Sequence, residues 1–330
     1  MGESGPDPIS AGRHAQRLLQ RHSQRLITLG GAVLLDRDPE PLHQMRVTLR
    51  RLSTVLHQFG PALELPEAVS PRRLAKTVRR LGQARDLDVL IERLEQQLLP
   101  ALPKAEARQL KPVLKRLRRR RRHSHGHLHG VLRGDGYRAT VRALEAWLAA
   151  PQLTPLGQEP LADWLLEWHW PWIGSLLLHP AWRLQTPEGR GNVRQLHDLR
   201  KGIKEARYRL ENLEGLAVPG VGVGMGVGGA VKQLKQGQEW LGELHDLAVL
   251  RSEISAVLHK GAAGTHLGAH LAQLELTLRD QERQAWQSWR LTAAALTALP
   301  GRRALVTSLL AAPQADETSA KGADAHLRPA

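Results

Sequence analysis

Residues Leu196 to Leu213 read L-H-D-L-R-K-G-I-K-E-A-R-Y-R-L-E-N-L, and the spacing within this stretch decides the fold. Leu196, Leu199, Ile203, Ala206, Leu210 and Leu213 recur at three- and four-residue intervals, as in an amphipathic helix that buries one stripe in a globular chain. At roughly 100° per residue, His197, Arg200, Lys204 and, more loosely, Arg207 form a second stripe, centred about 105° from the first rather than opposite it. A row placed there runs along the rim of a helix bundle. Long cationic side chains with an imidazole among them, held by a packed neighbour, make a preformed anion site rather than a solvated face.

The pattern occurs twice. Leu42 to Leu56 reads L-H-Q-M-R-V-T-L-R-R-L-S-T-V-L, so Leu42, Met45, Leu49, Leu52 and Leu56 overlay the first core stripe, and His43, Arg46 and Arg50 fall on His197, Arg200 and Lys204. A second matched pair follows at a similar interval: R-R-L-G-Q-A-R-D-L-D-V-L from Arg79, and E-W-L-G-E-L-H-D-L-A-V-L from Glu239. Two ordered matches indicate a duplicated half. The copies differ in detail, since Arg79 aligns with Glu239, Lys76 with Gln236, Ser53 with Arg207 and Asp88 with Ala248.

The duplicated pairing of H-x-x-R-x-x-x-[RK] with L-G-x-x-[RH]-D-x-x-V-L resembles the CHAD domain, the conserved-histidine α-helical domain, from about Ile9 to about Ala312. The resemblance implies an all-α fold of two pseudo-symmetric four-helix bundles enclosing a basic channel or groove that binds inorganic polyphosphate. It further implies a cytoplasmic protein associated with polyphosphate granules.

Composition bounds the partner. In 330 residues, Lys and Arg outnumber Asp and Glu by 47 to 32, a formal net charge of +15, which argues for a polyanion: nucleic acid, an anionic membrane or another phosphate polymer. There is no cysteine, which excludes disulfides, thiolate nucleophiles and Cys-ligated zinc. The opening M-G-E-S-G-P-D-P lacks the basic and apolar regions of a secretion signal. Leu, Ala and Arg dominate without alternating β-branched runs, which favours helices.

Along the chain, helices are expected from Ile9 to Leu35, from His43 to Gly60, and from Arg72 to Leu81, where Gly82 stops the helix and Asp86 caps the next, to Leu99. A long segment from Lys104 to Leu132 and a helix around Val141 to Leu148 complete the first half, residues 9–150. Proline and glycine thicken between Pro151 and Pro160, which marks the boundary. The second half, 158–312, opens on L-A-D-W-L-L-E-W-H-W-P-W-I-G-S-L-L-L-H-P. A membrane span needs about 20 predominantly apolar residues, and Glu167, His169 and Pro171 interrupt this one, so it is read as a core helix with Trp164, Trp168 and Trp172 inward and no membrane insertion. Pro219 to Gly229 is a glycine-rich connector without the G-x-G-x-x-G fingerprint. Helices then run from Val231 to Leu258, with a break near Gly242, and from about Leu267 to Leu310; residues 313–330 form a disordered tail.

The candidate anion site comprises His43, Arg46, Arg50, Arg72, Lys76 and Arg79 in one half and His197, Arg200, Lys204, Arg207, Lys232 and Lys235 in the other. Arginine offers bidentate contacts to phosphate and lysine a point charge. Imidazoles among such cations are pushed toward neutrality until an anion arrives. His197-Asp198 and His245-Asp246 resemble the metal pair of HD phosphohydrolases, but the first half carries His43-Gln44 and Arg85-Asp86 instead, so no metal site or cofactor is expected. Lys115 to His129, K-R-L-R-R-R-R-R-H-S-H-G-H-L-H, spaces two histidine pairs by four, yet the adjoining arginines disfavour a cation and Gly126 weakens the helix. It is read as an exposed basic segment. No E-x-E triphosphatase signature and no P-loop occur, which favours binding without catalysis over a metal-dependent phosphohydrolase. The rival reading is a sequence-nonspecific nucleic-acid binder using Arg118 to Arg122.

Overall fold

Ser10, Asp38 and Ser70 each open a helix by accepting a hydrogen bond from a backbone N–H of the first turn, at 3.3, 2.8 and 3.4 Å. Pro39 and Pro71 follow two of them, where a missing N–H costs nothing. The computed structural model describes residues 9–214, 227–258 and 271–310. The first half contains α1 (Ala11–Leu35), α2 (Pro39–Phe59), α3 (Pro71–Glu92), the short α4 (Leu99–Ala101) and α5 (Lys104–Gln109), α6 (Lys111–Arg133) and α7 (Asp135–Ala149). After the brief α8 (Pro155–Gln158) come α9 (Leu165–Leu177), α10 (Arg190–Glu211), α11 (Val227–Leu258), α12 (Ala272–Thr297) and α13 (Leu299–Leu310). The fold is all-α: among the described residues the only β features are isolated bridges.

Packing follows the same succession twice. α1 packs on α2, α2 on α3, α3 on α6 and α6 on α7, which returns to α1; α9, α10, α11, α12 and α13 repeat that order, with α13 returning to α9. α2 also meets α10, and α11 meets α6. The hydrophobic clusters cut across this division. One joins Leu42, Leu49 and Leu52 of α2 to Leu199, Ile203 and Leu210 of α10. The other joins the far ends of α3, α6, α11 and α12 through Leu90, Leu117, Leu250 and Leu274.

Several expected boundaries shift. α3 runs through Gly82 to Glu92, so Asp86 lies mid-helix rather than capping a new one, and α11 passes unbroken through Gly242. The Lys104–Leu132 segment divides at Leu110 into α5 and α6, and α6 continues through Gly126. The last helical stretch divides at Ala298, whose backbone is extended, and Pro300 then stands in the first turn of α13, where a missing N–H costs nothing. Trp168 and Trp172 pack against the core, whereas Trp164 is 36% exposed. Residues 227–229 begin α11; the rest of the glycine-rich connector and the tail lie outside the described residues.

The Pro151–Pro160 segment is bound tightly to the first half. Leu153 bridges Leu63, Pro160 bridges Ser10, and Glu159 O accepts from Ala11 N at 3.0 Å. Gly157 passes so close to Ala62 that a Cβ would stand 2.0 Å from its carbonyl oxygen. A buried polar chain ties α1, α2, α9 and α10 together. Gln58 Nε2 donates to His169 Nε2 at 2.6 Å, Asn212 Nδ2 donates to Gln58 Oε1 at 2.8 Å, and His14 Nε2 donates to Asn212 O at 2.6 Å. His169 Nδ1 donates in turn to Leu165 O. That geometry requires neutral His169, and burial, foremost, holds its pKa down at about 4.

Because the unfolded chain takes up a proton at His169 from pH ~6.5 downward and the folded one does not, folding stability falls from about pH 6.5 through 4. His169→Leu is expected to cost about 1–3 kcal/mol at pH 7.5 by stranding Gln58, and to make the loss between pH 6.5 and 4 shallower. Thermal denaturation across that range checks both.

Candidate functional site

The two cationic rows meet where α2 and α10 pack. Lys204 is only 9% exposed. Its ammonium is pushed down to about 6, first by burial and then by the charges of Arg50, Arg46, Arg200 and Arg207. Arg50 is lowered by burial and then by Arg46, with Arg200 contributing across the contact. Half-buried His43 is held below the ordinary histidine range by burial, then by Arg85, with Arg46 and Lys204 adding to the effect. Cations from both halves therefore share one low-dielectric space, where mutual repulsion is strong.

Histidine and arginine recur in matched positions. His197 is lowered by burial, then by Lys201 and Arg200. Its ring lies 5.0 Å from that of His245, which burial and then Arg200 hold at about 4. His43 Nδ1 and His197 Nδ1, and likewise Arg46 Nε and Arg200 Nε, are buried without a hydrogen-bond partner among the described residues. Orphan donors of this kind are costly in a free protein and suited to an oxyanion. The same two positions are thus left open in each copy.

The glycines of the second motif explain how the arginines lie. A Cβ on Gly82 would first meet Arg46 Nε, at 3.8 Å, and one on Gly242 would first meet Arg200, at 3.7 Å. Each guanidinium rests on bare helix backbone, which accounts for a mid-helix glycine that costs about 1 kcal/mol in propensity. Four residues on, and so on the same helix face, stand Asp86 and Asp246. Asp86 is 3.7 Å from Arg46, and Asp246, raised by burial, faces Arg200. Two carboxylates thus steer the arginines without matching the cations in number. Asp86, which reads in sequence as a helix cap, and His245-Asp246, which read as a metal pair, stand instead beside these arginines, and the shared Gly-to-Asp spacing is the sequence signal for it.

The remaining candidates lie elsewhere. Arg207 is buried at the edge, but Glu211 pairs with it and Gln238 accepts its Nε at 3.1 Å; Glu211 also holds Arg51 at 2.8 Å. Arg72, Lys76 and Arg79 on α3 and Lys232 and Lys235 on α11 are exposed. Lys76 lines a cleft with Arg73, Arg80 and His127. Arg121 is not an exposed charge, because it clamps Asp36 and Asp88. His123 and His127 hydrogen-bond each other at 3.0 Å. Asp198 is exposed and paired with Lys201 at 2.7 Å. Among the described residues no three His, Cys, Asp or Glu side chains are grouped to hold a metal ion, and no helix is long and apolar enough to cross a membrane.

The CHAD domain family model matches residues 17–255. The chain is similar over most of its length to two solved structures. One is the CHAD domain from the plant Ricinus communis, 22% identical, with 95% of this chain and 96% of that one covered and a TM-score of 0.58. The other is PptA from Streptomyces chartreusis, 17% identical, with 87% of this chain and 99% of that one covered and a TM-score of 0.59. At these identities the likeness is one of fold. No curated protein sequence matches the chain.

A buried lysine depressed this far destabilises the free protein, since the unfolded chain keeps its proton up to pH ~10.5. Lys204→Met is expected to raise stability at pH 7 by about 1–4 kcal/mol, with the gain shrinking as pH approaches 10. Thermal melts at pH 7 and 9.5 measure it; a destabilised variant would count against the arrangement.

Proposed function

The chain belongs to the CHAD domain family, and from that membership we propose that it binds inorganic polyphosphate in the cavity between α2 and α10, without catalysing a reaction on it. The observation that carries this reading is the convergence of Arg46, Arg50, Arg200 and Lys204 from both halves, with Lys204 pushed down to about 6 by burial first and then by the arginines around it. A linear phosphate polymer supplies about one negative charge per unit, and its oxygens accept from any donor in reach. The orphan Nε atoms of Arg46 and Arg200 and the Nδ1 atoms of His43 and His197 suit such an acceptor. Recognition is of charge and backbone, so affinity falls as salt rises. The same chemistry would serve polymer packed in granules.

Turnover would require a group that activates water or a phosphoryl-bound metal. The donors gathered at this contact are guanidinium, ammonium and imidazole, and Asp86 and Asp246 are engaged with arginines, which favours holding the polymer over cleaving it. Incubation with long-chain polyphosphate and magnesium or manganese is expected to release no phosphate; metal-dependent release would overturn the non-enzymatic reading.

Two binding measurements test the site. Arg46→Ala with Arg200→Ala removes two charge-assisted contacts at about 1.5–3 kcal/mol each, and is expected to weaken polyphosphate binding by about a hundredfold or more; unchanged affinity would refute the assignment. The pH dependence has a definite sign. Lys204, His43, His197 and His245 are depressed in the free protein by burial first and then by the cations around them, among them Arg50, Arg46, Arg85, Lys201 and Arg200, while Glu40, Asp198 and Asp86 oppose the shift at His43, His197 and His245 respectively. An anion restores their protons, so binding takes up protons and calorimetry should give tighter affinity at pH 6 than at pH 8.

A further inference from the structure

The arginine run on α6 divides into paired and unpaired side chains. Arg118 pairs with Glu95, Arg120 with Glu253, and Arg121 with Asp36 and Asp88. These ion pairs fasten α6 to its neighbours and fix its rotation. Arg116, Arg119 and Arg122 are exposed, pair with no carboxylate among the described residues, and, with the Arg120–Glu253 pair, line a trench of about 1060 Å³ to which α3 contributes Arg80, Gln83 and Asp86. His123 and His127 follow along the α6 wall. The trench continues into a smaller cleft of about 350 Å³ that shares Arg80 and His127 and adds Arg73 and Lys76.

Two further features mark it as more than a basic face. Arg80 Nε and Ser124 Oγ are buried in its lining without a hydrogen-bond partner among the described residues. Asp86 lines it and also lies 3.7 Å from Arg46, so the trench adjoins the proposed central site across one carboxylate. From Arg116 to His127 the wall extends about 16 Å at 1.5 Å per residue, far longer than a single phosphate needs. No Trp, Tyr or Phe lines the larger space, so it offers phosphates a counter-charge but bases no stacking platform.

We propose that this trench between α3 and α6 is a second binding segment, taking the continuation of a linear polyphosphate chain whose other part fills the central cavity. The inference rests on the polyphosphate reading of that cavity and adds a consequence the cavity alone does not have. Short chains fill the centre only, long chains occupy both, and the protein thereby discriminates by chain length. The arrangement also gives Lys76 a role, as a cation at the trench's far end.

Calorimetric titration of tripolyphosphate and of long-chain polyphosphate tests it, using the parent, an Arg116→Ala, Arg119→Ala, Arg122→Ala triple variant, and the Arg46→Ala, Arg200→Ala double variant. The three trench side chains are exposed, and an unchanged thermal transition verifies that the triple variant is folded. The triple variant is expected to bind long chains roughly tenfold more weakly, with a salt slope shallower by about two, from three contacts at roughly 0.7 each, while tripolyphosphate affinity is unchanged. The double variant is expected to lose both. A triple variant that holds long chains as tightly as the parent, or that loses tripolyphosphate in equal proportion, overturns the trench. A double variant with undiminished affinity for both removes the central site, and the extension falls with it. A single-stranded oligonucleotide of matched phosphate number that binds the parent as tightly as polyphosphate, and is lost in the triple variant, would assign the trench to nucleic acid and overturn the proposal.

Discussion

Repulsion among like charges at the α2–α10 contact is the constraint to which the rest of the molecule answers. Arg46 and Arg50 from one helix, and Arg200 and Lys204 from the other, occupy one partly desolvated space, where an interaction between charges exceeds its value in water several-fold. Left to themselves these helices would part. Burial and then these charges press Lys204 to give up its proton, its pKa pushed down to about 6. The fold therefore carries a standing cost at its centre, a common price of a preorganised binding site.

What resists the repulsion is arranged around it. The apolar stripes of both helices enter a single hydrophobic cluster, so Leu42, Leu49, Leu199 and Ile203 cannot separate without exposing a shared core. Glu211 joins Arg51 of α2 to Arg207 of α10, turning two peripheral arginines into a clasp. The buried chain of His14, Asn212, Gln58 and His169 supplies directional contacts where the apolar stripe alone would permit slippage, consistent with buried polar groups fixing register. The Pro151–Pro160 strap, threaded against Ala62 through Gly157, ties the turn after α2 to the start of α1. On α6, Arg118, Arg120 and Arg121 brace the helix through ion pairs, while Arg116, Arg119 and Arg122 face the open space unpaired.

Much of this was legible in the residues because periodicity reports burial directly. The stripes of α2 and α10 and the all-helical class follow from three- and four-residue spacing, and the repeated motif places His43, Arg46, His197 and Arg200 in matched surroundings. Single residues acting through space were less legible. Gly82 and Gly242 read as helix breakers by propensity, yet each lies mid-helix beneath an arginine from the neighbouring helix, a tertiary contact that propensity does not encode. Arg72, Arg79, Lys232 and Lys235 shared the sign and spacing of the central cations but stand exposed on α3 and α11. Arg121 resembled its neighbours in sequence while its carboxylate partners, Asp36 and Asp88, come from α1's end and α3. Charge spacing shows which face a side chain shares, not what stands opposite.

Burial and the unmatched cations around it hold Lys204 largely neutral until an anionic polymer arrives. Heteronuclear NMR titration of the Lys204 ammonium, in free protein and in protein saturated with polyphosphate, addresses it most directly. The account predicts a midpoint of about 6 in the free protein and a rise of several units on loading. A midpoint near the ordinary lysine value of ~10.5 in the free protein, or one that polyphosphate does not move, would contradict it.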